Sequence, residues 1–262
     1  MYMSFIHPLN VIGSYAVHAY KNSKRFAFFL LQAIYIGLTK PLKFQALLQQ
    51  IEQIGIDSLN IVILTGTFTG MVFALQSYIG FSRIGGEQFI GSVTALAMAR
   101  ELGPVLTGLM VTGRACSAIA AELGTMRITE QIDALVTLRI NTFSYLIAPR
   151  IFAGILVLPC LSLFCSICGI IGGYFVVAYS LNLSGEQYVA NIIQFCKLND
   201  IMGGLIKSAF FGLILTWVGC YKGYYTHGGA RGVGKATTEA VVLSSVLILV
   251  INFFLTKLLD HL

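Results

Sequence analysis

A chain of 262 residues is long enough for one or two soluble domains, but 56% hydrophobic residues, 11% charged residues and a mean hydropathy of +0.81 exclude that class; soluble domains carry about a quarter charged residues. Apolar stretches consume nearly the whole length, which leaves one membrane domain and no room for a separate catalytic domain. The net charge of +6 comes from Lys and Arg dispersed along the chain rather than clustered among aromatics, so it does not point to nucleic acid.

In chain order, Phe26 to Leu38 is the first apolar run. It is shorter than the roughly 20 residues that cross a bilayer. Lys21, Lys24 and Arg25 precede it, and Thr39, Lys40 and Pro41 follow it in place of a small-residue cleavage site. The run therefore predicts an interfacial helix and not a signal peptide. Phe44 to Ile56 places Leu47, Leu48, Ile51 and Ile54 on one helical face, which predicts a second helix along the membrane surface.

Five spans follow. Ile61 to Phe81 is uncharged throughout. Phe89 to Ala121 is apolar but carries Arg100 and Glu101, with Pro104 just after, and predicts a long second span with a polar break. Ile151 to Gly185 is uncharged and too long for one perpendicular crossing, which predicts a tilted or projecting helix whose Gly172 and Gly173 allow close approach. Ile201 to Tyr221 holds Lys207 near its start, where a long stem can snorkel to the interface. Ala240 to Leu259 is the fifth. The expected fold is an all-α polytopic membrane protein of one domain, with an interfacial region over 1–58 and a five-span core over 59–262.

Of the 17 Lys and Arg residues, five precede the first span, four lie from Arg114 to Arg150 and three from Lys222 to Lys235, twelve in all. By the positive-inside rule the amino terminus and the loops after spans two and four are cytoplasmic and the carboxyl terminus lies outside.

Between spans two and three, Ile128, Ile132 and Leu135 recur at helical spacing while Arg127, Glu130 and Asp133 point elsewhere, which predicts a short amphipathic helix over Met126 to Leu138. It either docks into a partner's groove or floats on the headgroups, and its acidic pair disfavours anionic lipid. Arg114 and Glu122, two helical turns apart, are read as ion-pairing residues among the small side chains of span two. Residues 229–235, GARGVGK, match a P-loop up to its Lys, but Ala236 stands where Ser or Thr binds magnesium and no strand precedes. They are read as a basic turn. Cys165 and Cys168 lie inside span three near Cys160 with no acidic residue or His nearby, and His7, His18, His227 and His261 are scattered, so no metal or catalytic cluster is expected.

The run RELGPVLTGLMVTGRACSAIAAELGTMRITEQIDAL, from Arg100 to Leu135, resembles the signature of the MlaE-type permeases, membrane subunits of lipid-trafficking ABC transporters that work with MCE-domain proteins. GMVFALQSYIGF (70–81), APRIFAG (148–154) and GVGKATTEAVVLSS (232–245) resemble further segments of that family, so the resemblance covers roughly residues 40 to 260. It implies a homodimer flanked by two ATPase subunits, which would bind the ATP, and by a ring of MCE proteins; no cofactor is implied for this chain itself. The implied substrate is glycerophospholipid and the implied home a bacterial inner membrane, or alternatively a plastid inner envelope. The helix over Met126 to Leu138 resembles the family's coupling helix, with Arg127, Ile128, Glu130, Ile132, Asp133 and Leu135 as its docking residues. Leu75, Tyr78, Arg100 and Glu101 are the candidates for lining the lipid cavity. Arg100 suits a phosphate because its planar fork bonds two oxygens at once; the bland alternative is that Arg100 and Glu101 only pair within the bundle. Two other functional classes stay open: an ion-coupled or passive solute transporter using Arg100, Glu101 and Lys207, and an intramembrane lipid enzyme using Glu101 and Glu122.

Overall fold

The computed structural model describes residues 6–39 and 44–259. Lys40 and Lys43, two of the basic residues that set the expected orientation, lie outside the described residues, as does His261. The described residues form helices joined by short turns, without strands: α1 (Ile6–Thr39), α2 (Phe44–Phe81), α3 (Glu87–Ile128), α4 (Gln131–Thr137), α5 (Phe143–Ser180), α6 (Gly185–Phe195), α7 (Leu198–Tyr224) and α8 (Gly229–Leu259). Helices α2, α3, α5, α7 and α8 are long and apolar enough to cross a membrane. The chain is an all-α, multi-pass membrane protein.

The five spans sit where hydropathy puts them, and the helices extend beyond the expected bounds except at the end of span three. The segment expected to lie apart as a surface helix is the first part of α2, joined to span one through a widened π turn at Glu52–Ile56. Ile54 in that turn is fully buried, and Gly55 lies against Val157 of α5. Burial of Ile54 and Leu47 binds this amphipathic stretch to the bundle and extends the helix. Likewise the interfacial helix α1 is docked: Phe29, Ala33 and Ile36 are buried at helical spacing, while Phe28, Leu31, Tyr35 and Leu38 face outward. Its anchor is aromatic. Phe26 stacks on Trp217 with centroids 3.8 Å apart, Trp217 Nε1 donates to the Phe26 carbonyl at 3.2 Å, and Arg25 lies 3.9 Å over the Tyr225 ring.

Span three ends sooner than the uncharged run suggested. Helix α5 stops at Ser180, and Ser184 then caps the separate helix α6 through the Gln187 N–H. The tail of the apolar run, residues 181–185, belongs to a turn and the start of α6, while α5 itself begins earlier, at Phe143, and is 38 residues long. Residues 229–235 are the first helical turns of α8, so the expected basic turn is helix and has no phosphate-cradling loop.

The polar break in span two is not a break. Helix α3 continues through two π turns, Met98–Leu102 and Thr112–Cys116. A π turn widens the helix by one residue and leaves carbonyls for other donors, which is why such turns recur at functional sites. Ser166 Oγ of α5 takes the Met98 carbonyl at 3.0 Å, and Lys207 of α7 takes that of Arg100 at 3.2 Å.

Glycines let these helices touch backbone to backbone. A Cβ on Gly70 of α2 would lie 1.9 Å from the Gly169 carbonyl oxygen of α5, and one on Gly212 of α7 would lie 2.1 Å from that of Gly154. In lipid, where there is no hydrophobic drive between helices, such close contact supplies the cohesion. Cys165 is buried along this seam, whereas Cys160 is exposed.

Candidate functional site

The charged residues of the second span do not pair with each other. The π turn at Met98–Leu102 turns Arg100 toward the start of α7 and Glu101 toward the middle of α7 and the end of α8. Arg100 Nε donates to Asp200 Oδ1 at 3.0 Å. Asp200 is held in turn by the Lys197 backbone N–H, which donates to its other oxygen at 2.9 Å and caps α7. Glu101 Oε1 receives Lys207 Nζ at 2.5 Å and Thr256 Oγ1 at 3.1 Å, and its Oε2 receives Asn252 Nδ2 at 3.1 Å.

Lys207 does not snorkel. Its side chain is 4% exposed, and its three ammonium protons meet the Glu101 carboxylate, the Arg100 carbonyl and Thr256 Oγ1. A buried ammonium is tolerable only when paired and fully hydrogen-bonded, and this one is both. Arg100 differs: its side chain is 49% exposed.

Beside these groups opens a cavity of about 410 Å³ lined by Arg100, Glu101, Asn199, Asp200, Lys207, the glycines Gly203 and Gly204, and the apolar Met202, Ile206 and Leu259. Its four charges balance, two positive and two negative. Such a wall suits a ligand with a polar, charged end and an apolar body. Leu75 and Tyr78 do not line it. Leu75 belongs to an outward stripe of α2 with Leu64, Phe68, Val72 and Ile79, and Tyr78 packs on the cluster of Ala74, Ile90, Val177 and Tyr188.

Sequence reasoning missed Asp200, Asn252 and Thr256. Asp200 reads as a loop residue before a span, and Asn252 and Thr256 are neutral; the available signal was their i, i+4 spacing on an otherwise apolar helix.

The other charges of span two are also divided between neighbours. Arg114 donates from Nε to Ser58 Oγ at 2.8 Å, from Nη2 to the Gln53 carbonyl, and stands 3.6 Å from Asp57, all on α2. Glu122 pairs at 2.8 Å with Arg150 of α5, whose side chain is 3% exposed. Glu101 and Glu122, the acids weighed for lipid chemistry, thus each hold a buried cation.

The expected amphipathic helix is shorter than Met126 to Leu138. Met126, Arg127 and Ile128 complete α3, and Glu130 occupies a left-handed turn (φ 59°) before α4 starts at Gln131. Ile132 is fully buried and Leu135 packs on the core, whereas Val136 and Leu138 are 56% and 69% exposed. Arg127 pairs with Asp133 at 2.6 Å across the turn, linking α3 to α4 beside the buried Ile132. The result is a braced knuckle with an exposed apolar edge. Among the described residues no group of His, Cys, Asp and Glu is arranged to hold a metal.

The chain matches the family model Permease MlaE over residues 47–258. It is 45% identical to a probable ABC transporter permease protein of Rickettsia bellii, over 95% of this chain and 96% of the relative. It is 35% identical to the intermembrane phospholipid transport system permease protein MlaE of Haemophilus influenzae, over 97% and 98% of the two chains. The chloroplastic protein Trigalactosyldiacylglycerol 1 of Arabidopsis thaliana is 42% identical over 80% of this chain and 60% of its own length.

Proposed function

The chain belongs to the MlaE permease family, and from that premise we propose that this transporter permease moves glycerophospholipid between membranes, driven by ATP hydrolysis on a separate subunit. The observation that carries the reading is the cavity between α3, α7 and α8: a charged, balanced wall beside apolar residues, with the half-exposed Arg100 among its lining. Phosphate goes to the exposed side of Arg100, and the Glu101–Lys207 pair holds the three helices around it. The name of the Haemophilus influenzae relative supports the substrate class. The protein works as a homodimer, whose contact uses the apolar stripes that α2 and α8 leave exposed, through Phe68 and Val72 on one and Val246 and Phe253 on the other. An MCE-domain protein covers the outer side. The home is a bacterial inner membrane, with the amino terminus cytoplasmic and the carboxyl terminus periplasmic.

The knuckle at α4 receives the ATPase. Its exposed edge supplies the docking contact, and its buried Ile132 and the Arg127–Asp133 pair carry displacement into α3. Purification from native membranes in mild detergent tests both halves of the reading. The unaltered chain is expected to retain an ABC ATPase and bound phospholipid, and Val136→Glu, which leaves the Arg127–Asp133 pair intact, is expected to lose at least 90% of the ATPase while keeping the lipid. If the unaltered chain retains neither, the lipid permease reading fails. If Val136→Glu keeps its full complement of ATPase, the docking assignment fails alone.

A further inference from the structure

At the opposite end of α3 from the charged cavity there is a second polar pocket. Glu101 and Glu122 are 21 residues apart on α3, about 30 Å along the axis at 1.5 Å per residue. The pocket, about 220 Å³, lies between the first turns of α2, the end of α3 and the start of α5. Its wall holds two buried hydrogen-bonding atoms that the protein leaves without a partner. Arg150 is buried; its Nη2 meets Glu122 at 2.8 Å and its Nη1 the Leu146 carbonyl at 2.9 Å, but its Nε has no partner. The Oε1 of Gln50 is likewise buried and unpartnered. Gln49 and Tyr145 complete the polar lining. A buried donor and a buried acceptor left unmet in one pocket carry a cost that an occupant would remove.

The charges say what kind of occupant. Arg150 and Glu122 cancel, so a simple anion or cation gains little net attraction, whereas a ligand carrying one charge of each sign meets both. Further along the same pair of helices, α2 and α5 enclose an apolar crevice of about 360 Å³ bordered by Gly55, Leu59, Leu156, Cys160 and Phe164. Polar pocket then apolar crevice is the order of a lipid entering from its headgroup end. We propose that this chain binds a second, zwitterionic phospholipid here, with its phosphate toward the Arg150 Nε–H, its ammonium toward Glu122 and the Gln50 amide oxygen, and an acyl chain in the crevice. This site stands apart from the charged cavity and does not depend on lipid binding there.

The test uses the full chain in nanodiscs containing a trace of phosphatidylethanolamine with a diazirine on one acyl chain, and maps the labelled peptides by mass spectrometry. Label is expected on α5 between Leu156 and Phe164, reduced at least fivefold by Glu122→Gln. Gln50→Leu, which leaves the ion pair standing, is expected to reduce it as well. Unlabelled phosphatidylethanolamine should compete, and phosphatidylglycerol should compete at least fivefold less well. Equal labelling of the unaltered chain and both variants overturns the site, and so does equal labelling by a diacylglycerol with the same diazirine chain, which would mark an ordinary boundary lipid. Equal competition by phosphatidylglycerol overturns the zwitterion assignment.

Discussion

Lys207→Met is expected to be among the most damaging single substitutions in this protein, and adding Glu101→Gln is expected to reverse much of the damage to stability. The single change leaves the Glu101 carboxylate facing Thr256 and Asn252 with its counter-ion gone. Breaking a buried pair by removing one partner costs about 3–5 kcal/mol, whereas replacing both with neutral groups is often close to neutral. Glu101 is more exposed than Lys207, 38% against 4%, so water offsets part of the penalty and the lower end of that range applies. The readout is the apparent melting temperature in detergent of the two single variants and the double variant. A strong fall for Lys207→Met with recovery in the double variant identifies the pair as coupled. Indifference to Lys207→Met would show that the pair contributes nothing to holding α3, α7 and α8. Transport has a separate expectation. If the pair only holds the helices, the stabilised double variant regains lipid transport with the stability; if the charges themselves read the headgroup, transport stays low.

The spans of this fold are legible because a bilayer demands a length and a hydropathy that few other structures mimic. The pairings among them are not. Lys207 looks like a snorkelling residue because its partners Glu101 and Thr256 are 106 and 49 positions away, and periodicity within one helix carries no information about which other helix faces it. The π turns at Met98–Leu102 and Thr112–Cys116 are equally silent. The first of them is met by tertiary donors, Ser166 and Lys207, that no local propensity announces. The same cause explains α2 and α4. The amphipathic stretch before span one reads as a detached surface helix because Ile54 gives no hint that α5 will cover it. The helix after span two is overextended by periodicity because Ile128, Ile132 and Leu135 keep the spacing across a turn at Glu130. What the sequence does carry is the charge itself: Arg100, Glu101, Arg114 and Glu122 stand out in lipid, and all four are paired with other helices.

Two adjacent glycines on α7 provide the sharpest contrast. Gly203→Ala is expected to be tolerated, and Gly204→Ala to cost about 1–3 kcal/mol, the range for forcing a methyl into a packed core. A Cβ at Gly203 meets nothing within 4 Å, so alanine there gains up to about 1 kcal/mol of helix propensity. A Cβ at Gly204 would lie 2.0 Å from the Ala99 carbonyl oxygen, closer than any real contact, and that oxygen is backbone. Relief requires α7 to move away from α3. Ala99 belongs to the same π turn as Arg100 and Glu101, so the movement that admits the methyl also separates Arg100 from Asp200 and Glu101 from Lys207. The loss at Gly204 should therefore exceed simple overpacking and should reach lipid transport together with stability. Measured side by side as apparent melting temperature, the two variants should fall on opposite sides of the unaltered protein. Equal melting temperatures would mean that α3 and α7 are not held in backbone contact at this turn, and the charged cavity would then lack the rigid wall that the proposed headgroup site requires.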